Sequence, residues 1–333
     1  MKGFISTGEF SGEIHACEVV KLMDFPLYGV GGERLEKEGV RIIGRSKAVV
    51  GFRDVPGSLF YFVSLKKKII DFLRKERPSF VLLVDFPGFN MEIGKAAGSM
   101  GIPVFYLLPP QIWAWGRWRG KRIKKWVRKV FVFFDFEKRI WEEEGVEVEC
   151  TGFPWKEIER KEENVIGIFP GSRKSEVKRN LPFMLEVAEK FKEKIKVVVC
   201  IPWEREREEK GIFYTSSKER VLSSAMVAIS KPGTITLELA LSGIPAVVTA
   251  HVPFIDKLAG RMLLKTRYLA LPNILLGEEV FPEVFEKERV LEKLFEVMEK
   301  KEKIKEKLSS LKEVAGDGVY ERVCSSILSF FNN

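Results

Sequence analysis

The chain has 333 residues, 45% apolar and 31% charged, enough for two domains that each bury a core. This balance excludes a disordered, collagen-like or disulfide-scaffold protein. Against 47 Asp and Glu stand 56 Lys and Arg, and the formal charge of +9 favours an anionic partner: nucleic acid, an anionic membrane surface or a phosphorylated substrate.

The first residues, Met1 to Ser6, run straight into a strand-like segment and carry no signal-peptide pattern, so a cytoplasmic protein is expected. The longest apolar runs, such as Ile102–Leu108, fall far short of the ~20 residues that cross a bilayer. The four cysteines are scattered and form no C-x-x-C pair, and His15 and His251 are the only histidines. Neither a disulfide framework nor a zinc site is expected from that inventory.

Lys2–Ser6 reads as a first strand, followed by a turn from Thr7 to Gly12 and a helix from about Glu13. Glu9 and Ser11 sit on that turn, at the edge where open α/β sheets bind ligands. Apolar positions 59, 62, 63, 69, 70 and 73 recur at helical spacing beside Lys66, Lys67 and Lys68. Such a helix suits either a core packing with a basic outer face or a membrane surface. Phe80–Val84 is a continuous apolar run, as in a parallel strand buried on both faces. Asp85 follows it directly, and the segment continues to Asn90. At the carboxyl end of such a strand, Asp85 suits either a general base or a turn cap.

Val104–Leu108 is the next strand, and its loop carries Trp113 and Trp115, fit for an apolar channel or for core packing. Arg117 to Lys129 holds eight basic residues in thirteen and no acid, with Trp118 and Trp126 between them. The stretch suits a phosphate, an anionic surface, nucleic acid, or plain solvation. Val130–Phe134 closes the first series of strands. A polar stretch after Pro154 marks the boundary, and strands at Val165–Phe169, Val197–Ile201, Met226–Ser230 and Ala246–Thr249 form a second series. Alternation of strands and helices predicts two Rossmann-like domains with parallel sheets, over residues 1–160 and 161–310, then a C-terminal helix over 311–333.

Two turns in the second series suit a nucleoside diphosphate. Gly171, Ser172 and Arg173 follow a strand and precede a helix: Gly171 permits close backbone approach, Ser172 can cap, and Arg173 can fork onto a phosphate. Ser230 ends another strand, Gly233 turns, Thr234 can cap, and Glu238 lies where a carboxylate accepts both hydroxyls of a ribose. Each turn also fits an ordinary capped helix. Asn273, after Pro272, suits a sugar or phosphate contact, or simply a turn.

In their order and spacing these segments resemble lipid-A-disaccharide synthase, a B-type inverting glycosyltransferase. The resemblance rests on Gly8-Glu9-x-Ser11-Gly12, Asp85-x-Pro87-x-Phe89-Asn90, Pro110-x-Ile112-Trp113-Ala114-Trp115, and Pro170-Gly171-Ser172-Arg173-x-x-Glu176. Gly233-Thr234-x-Thr236-Leu237-Glu238, Lys265-Thr266 and Leu271-Pro272-Asn273-Ile274 through Pro282-Glu283 continue it. It implies a GT-B fold, with the two sheets facing a cleft and the last helix able to pack back on the first domain.

The implied reaction joins UDP-2,3-diacylglucosamine to 2,3-diacylglucosamine 1-phosphate, giving the β(1→6) disaccharide 1-phosphate and UDP, with no metal or cofactor. By matching position, Asp85 is the implied base, with Glu9 and Ser11 near the reacting sugar. Gly171, Ser172 and Arg173 hold the diphosphate, Glu238 the ribose, and Ser230, Gly233, Thr234 and Asn273 line the UDP site. Both substrates carry acyl chains. Phe62, Lys66, Lys67, Asn90, Trp113, Trp115, Arg117 and Arg119 are accordingly expected toward the acceptor or an anionic inner-membrane surface, with peripheral attachment on its cytoplasmic face. The chain departs from the family's usual residues at Glu13, Pro109, Gln111, Phe153 and Glu286. A related enzyme such as UDP-N-acetylglucosamine 2-epimerase would share the nucleotide turns without needing the 59–73 helix. A nucleic-acid-binding protein would leave both phosphate turns unexplained.

Overall fold

The computed structural model describes residues 1–8, 10–45, 56–114, 116–251 and 267–332. The chain forms two compact units, Met1–Pro154 with Gly316–Asn333, and Trp155–Ala315. Each is built on a sheet whose buried strands are parallel.

The first unit carries β1 (Gly3–Thr7), β2 (Leu27–Gly31), β3 (Arg41–Arg45), β4 (Phe80–Val84), β5 (Val104–Leu107), β6 (Lys129–Val132) and β7 (Val148–Cys150), with β8 (Phe153–Pro154) at its end. The sheet order is β3-β2-β1-β4-β5-β6-β7, with every neighbouring pair parallel. The order of the strands reverses between β1 and β4, the place where open α/β sheets bind ligands beyond the carboxyl ends of their strands. β1, β4 and β5 are buried at every residue, and their side chains are apolar or small apart from Tyr106, whose hydroxyl is hydrogen-bonded. Gly29 in β2 is required by contact: a Cβ there would lie 2.4 Å from the Ile5 carbonyl oxygen.

Among the described residues, the helices between these strands are α1 (Phe10–Val20), α2 (Glu33–Lys37), α3 (Pro56–Glu76), α4 (Pro87–Ser99), α5 (Trp118–Ile123) and α6 (Asp135–Glu143). α3 buries Leu65, Ile69 and Leu73 at four-residue spacing, while Phe60 (79% exposed) and Val63 (61%) face outward. Trp126 packs against Gly94 and Gly98 of α4, where a Cβ would meet it at 2.3 and 2.5 Å. This tryptophan of the basic stretch is therefore a packing residue.

The second unit contains β9 (Val165–Phe169), β10 (Lys196–Cys200), β11 (Arg207–Glu209), β12 (Ile212–Thr215), β13 (Val227–Ser230) and β14 (Ala246–Val248), in the order β11-β12-β10-β9-β13-β14. Only β11 runs antiparallel to its neighbour among these strands. The reversal falls between β9 and β13, so the turns after these two strands meet at one edge. The described helices are α7 (Lys174–Ala188), α8 (Lys218–Ser224), α9 (Thr234–Leu241), α10 (Leu271–Leu276), α11 (Lys287–Glu299) and α12 (Lys301–Ser309).

The last helix, α13 (Val319–Asn332), packs in the first unit. Val319, Val323, Cys324 and Ile327 are its buried face. Its Tyr320 hydroxyl lies 2.8 Å from His15 Nδ1 of α1, and Lys129 Nζ of β6 donates to Ser326 Oγ at 2.9 Å. Two ends of the chain thereby close over the same sheet.

Candidate functional site

Asp85 stands at the carboxyl end of β4, beside the end of β1. Asp85 and Phe86 both adopt left-handed backbone, with φ of 49° and 52°. Non-glycine residues avoid that region, and two in succession store strain. The turn is held from below: Asn90 Nδ2 donates to the Asp85 carbonyl at 2.8 Å, and the Tyr106 hydroxyl donates to the same oxygen at 3.0 Å. Asn90 also donates to the carbonyls of Ser6 (3.1 Å) and Val84 (3.2 Å) and accepts from Ser6 Oγ at 2.7 Å. It is fully buried. Asn90 thus faces the sheet, not an acceptor surface, and its place in the site is to fix Asp85. Burial raises the Tyr106 phenol well above its ordinary pKa, and the nearby Asp85 carboxylate adds to that rise while Arg119 opposes it.

The start of α1 comes down on this turn. A Cβ on Gly12 would meet Thr7 Oγ1 at 2.8 Å and the Asp85 Cβ at 3.1 Å, and one on Gly8 would enter the Phe86 ring at 2.0 Å. Both glycines are needed for that close approach. Ser11 is exposed in the first turn of α1, which begins at Phe10 and so three residues before the expected start; Glu9 and Trp115, along with Lys265 and Thr266, lie outside the described residues. Glu13 turns away and serves the fold. Its Oε1 accepts from the amides of Gly32 (2.7 Å) and Leu35 (3.1 Å), capping α2.

The remaining residues expected near an acceptor divide between core and surface. Phe62 is half-buried in a ring cluster with Phe86 and Phe89, at 6.0 and 5.5 Å between centroids. Trp113 Nε1 donates to Glu137 at 3.0 Å, and its ring stands edge-on to Phe136. Burial raises the Glu137 carboxyl to about 7, against the lowering effect of Trp113 and the amides of Phe133 and Phe134. Phe153 stacks on Phe134, so it belongs to this aromatic core. Lys66 pairs with Glu92 at 2.7 Å, whereas Lys67 is exposed. Arg117 is spent on Glu143 and Glu144 at 2.7 and 2.9 Å, so these two acids offset part of the basic stretch. Arg119 and Arg122 lie against the Trp118 ring, each 5.4 Å from its centroid.

In the second unit the turns after β9 and β13 come together around one carboxylate. Glu176, on the first turn of α7, accepts from the Ser172 amide at 3.1 Å, from Arg173 Nη1 at 3.4 Å and from Lys231 Nζ at 2.9 Å. Burial alone would raise its pKa, but Lys231, Arg173 and the Ser172 amide together hold it below the usual carboxylate value. Gly171 (φ 138°) and Gly233 (φ 147°) turn the backbone where side chains rarely fit. The expected caps differ by one residue. Arg173 occupies the N-cap of α7, without a side-chain cap bond, and Ser172 is exposed with its amide on Glu176. Gly233 occupies the N-cap of α9 and Thr234 is its exposed first residue. Glycine takes the cap position there because the turn needs its conformation.

Behind these turns lies a shell of buried polar groups. Asn180 Nδ2 donates to the Pro170 carbonyl at 2.8 Å and its Oδ1 accepts from the His251 amide at 3.0 Å. Ser230 is buried, its hydroxyl donating to the Lys231 carbonyl at 3.0 Å. Glu238 is held by Lys218 Nζ, at 2.9 and 2.8 Å from its two oxygens. Burial raises its pKa, and Lys218 counters that rise. Asn273 is fully buried and uses its whole amide internally, donating to the Phe281 carbonyl (2.7 Å) and Glu283 (2.9 Å) and accepting from the amides of Val280 and Phe281. Its side chain shapes the 273–283 turn and presents nothing outward. Residue pattern does not single out a role for Glu176, Lys231, Asn180 or Lys218. Glu176 appears only as the last residue of the Pro170–Glu176 motif, and Lys231, Asn180 and Lys218 carry no local signal beyond being polar.

The arrangement in the second unit brings two cations, Arg173 and Lys231, to the glycine turns after β9 and β13, with Glu238 on the following helix, a set that suits a nucleoside diphosphate. That in the first offers a carboxylate on a rigid turn. A family model described as lipid-A-disaccharide synthetase matches residues 3–326. The lipid-A-disaccharide synthase of Koribacter versatilis is 30% identical, over 99% of this chain and 98% of its own. That of Nitrosococcus oceani is 33% identical over 87% of this chain and 84% of its own. Among solved structures, a Neisseria meningitidis UDP-GlcNAc 2-epimerase bound to UDP-GlcNAc superposes with a TM-score of 0.63 at 13% identity, covering 99% of this chain and 100% of that one. That likeness shows a shared two-Rossmann fold.

Proposed function

The chain belongs to the lipid-A-disaccharide synthase family, and on that premise we propose how its residues divide the reaction. The enzyme is a glycosyltransferase of lipid A biosynthesis. Its donor is UDP-2,3-diacylglucosamine and its acceptor 2,3-diacylglucosamine 1-phosphate. The acceptor's 6-hydroxyl oxygen attacks the anomeric carbon of the donor as the bond from that carbon to the diphosphate breaks. The configuration inverts, the product is the β(1→6) disaccharide 1-phosphate, and UDP leaves.

Asp85 takes the proton of the 6-hydroxyl. The observation that carries this reading is the strained turn at Asp85 and Phe86, fixed by Asn90 and Tyr106. A base acts well when its position is settled before the substrate arrives. Glu9 and Ser11 line the reacting sugar. Gly171, Ser172 and Arg173 receive the diphosphate, where negative charge grows as the bond breaks, and preorganised donors act best there. Glu238 accepts the ribose hydroxyls, oriented by Lys218. Ser230, Gly233 and Asn273 shape the turns that carry these groups.

The acyl chains of both substrates call for a lipid surface. No described helix is long and apolar enough to cross a membrane. The exposed Phe60 and Val63 on α3, with exposed Lys67 and Lys68 beside them, support peripheral docking on an anionic inner-membrane face. Arg119 adds charge for the acceptor's phosphate.

The test is incubation of the purified protein with both lipids in detergent, with chelator present, and mass spectrometry of the products. Disaccharide 1-phosphate and UDP in equal amounts are expected. Consumption of UDP-N-acetylglucosamine with epimerisation, and no disaccharide, would overturn the reading.

A further inference from the structure

Lys231 lies between the two phosphate-facing turns. Its Nζ is 2.9 Å from Glu176 Oε1, a Cβ on Gly171 would meet its Cδ at 3.2 Å, and one on Gly233 its Cε at 3.8 Å. The stem therefore runs past both glycine turns, and the ammonium ends on the carboxylate that also receives Arg173 and the Ser172 amide. These three donors are the set that a phosphoryl oxygen would use: one guanidinium, one ammonium and one backbone N–H. Glu176 occupies the place of an anion in this cradle. It is 8% exposed, whereas the Lys231 and Arg173 side chains keep 24% and 46% of their surface in solvent. Both cations thus retain a face toward an incoming anion.

We infer that Lys231 is a second diphosphate-binding cation, and that Glu176 is the positioning residue that holds Lys231, Arg173 and the Ser172 amide converged before the donor binds. This rests on the nucleotide-sugar reading above and adds a residue to it. The two cations and one carboxylate leave the cradle with a single net positive charge. A diphosphate arriving there gains Lys231 and Arg173 together, and the same pair stabilises the UDP that departs.

The experiment compares UDP with uridine as probes, by calorimetry on the full-length protein, for wild type, Lys231→Met, Lys231→Arg and Glu176→Gln. Lys231→Met is expected to weaken UDP about tenfold, the worth of one charge-assisted contact, and to leave uridine unchanged. Lys231→Arg should restore most of the UDP affinity. Glu176→Gln should weaken UDP while uridine affinity stays the same. A merely structural role would lower both ligands alike, which overturns the inference, as does a Lys231→Met protein that binds UDP like wild type. Should Lys231→Met not fold, wild-type protein supplies the answer through lysine acetylation mapped by mass spectrometry. UDP, and not uridine, is expected to protect Lys231, and equal labelling with and without UDP overturns the inference. If wild type fails to bind UDP at all, the nucleotide-sugar reading falls with it; UDP binding that ignores Lys231 overturns this inference alone.

Discussion

Asn90 Nδ2 donates to the backbone carbonyl of Asp85 at 2.8 Å from a fully buried position five residues on. The bond ties the first turn of α4 to the strained end of β4, and through Ser6 to the end of β1. Replacing Asn90 by Asp removes the donor and sets a carboxylate against three carbonyl oxygens. The expected outcome is a loss of about 2 kcal/mol in unfolding free energy, from buried groups left unpaired. The surviving folded enzyme should show a lower kcat with an unchanged KM for the donor, measured by denaturant titration and steady-state kinetics.

Glu137 provides a pH signature. Its carboxyl is raised to about 7 by burial in the folded protein, whereas in the unfolded chain it titrates near the ordinary glutamate value. Between those values the folded state binds the extra proton, so its stability falls as pH rises through the window. Unfolding free energy should drop by about 2 to 3 kcal/mol from about pH 5 to about pH 8 on account of this group. Glu137→Gln keeps an acceptor for Trp113 and does not titrate, and its curve should lack that part of the slope. Parallel slopes for the two proteins would remove Glu137 as the cause.

The exposed edge of α3 makes a separable prediction. Phe60→Ser with Val63→Ser should weaken binding to phosphatidylglycerol vesicles without lowering Tm, because both side chains already face solvent. Lys67→Glu with Lys68→Glu should weaken it further, by about 1 kcal/mol for each lysine removed, and only at low salt. Lys66→Ala is expected to matter less, since that ammonium already pairs with Glu92 at 2.7 Å. Sedimentation of lipid-bound protein measures all three.

Buried parallel strands are legible because they must be apolar on both faces. Phe80–Val84 and Val165–Phe169 stand where their continuous apolar runs put them. β2 is hidden, because two of the five residues in Leu27–Gly31 are glycines, and one is there to let Ile5 approach. The two glycine turns after β9 and β13 are readable from glycine after a strand. Their caps lie one residue away from the hydroxyls that suggest them, since backbone conformation and not a hydroxyl sets each helix start. What local pattern cannot carry is a partner distant in the chain. Glu176 meets Lys231 across 55 residues, and Ser6 meets Asn90 across 84. Arg117 looks like part of a uniform basic stretch because its acids, Glu143 and Glu144, come from the end of the next helix.

The account turns on Asp85 as the base, and one measurement reaches it directly: single-turnover rates of Asp85→Asn beside its affinity for UDP. Asparagine keeps the size and the backbone bonds of the turn but takes no proton. The rate is expected to fall by about 10²- to 10⁴-fold, the usual worth of a positioned base, with UDP affinity unchanged. A variant that turns over at the wild-type rate would contradict the assignment and move the search to Glu9, the other carboxylate expected near the reacting sugar.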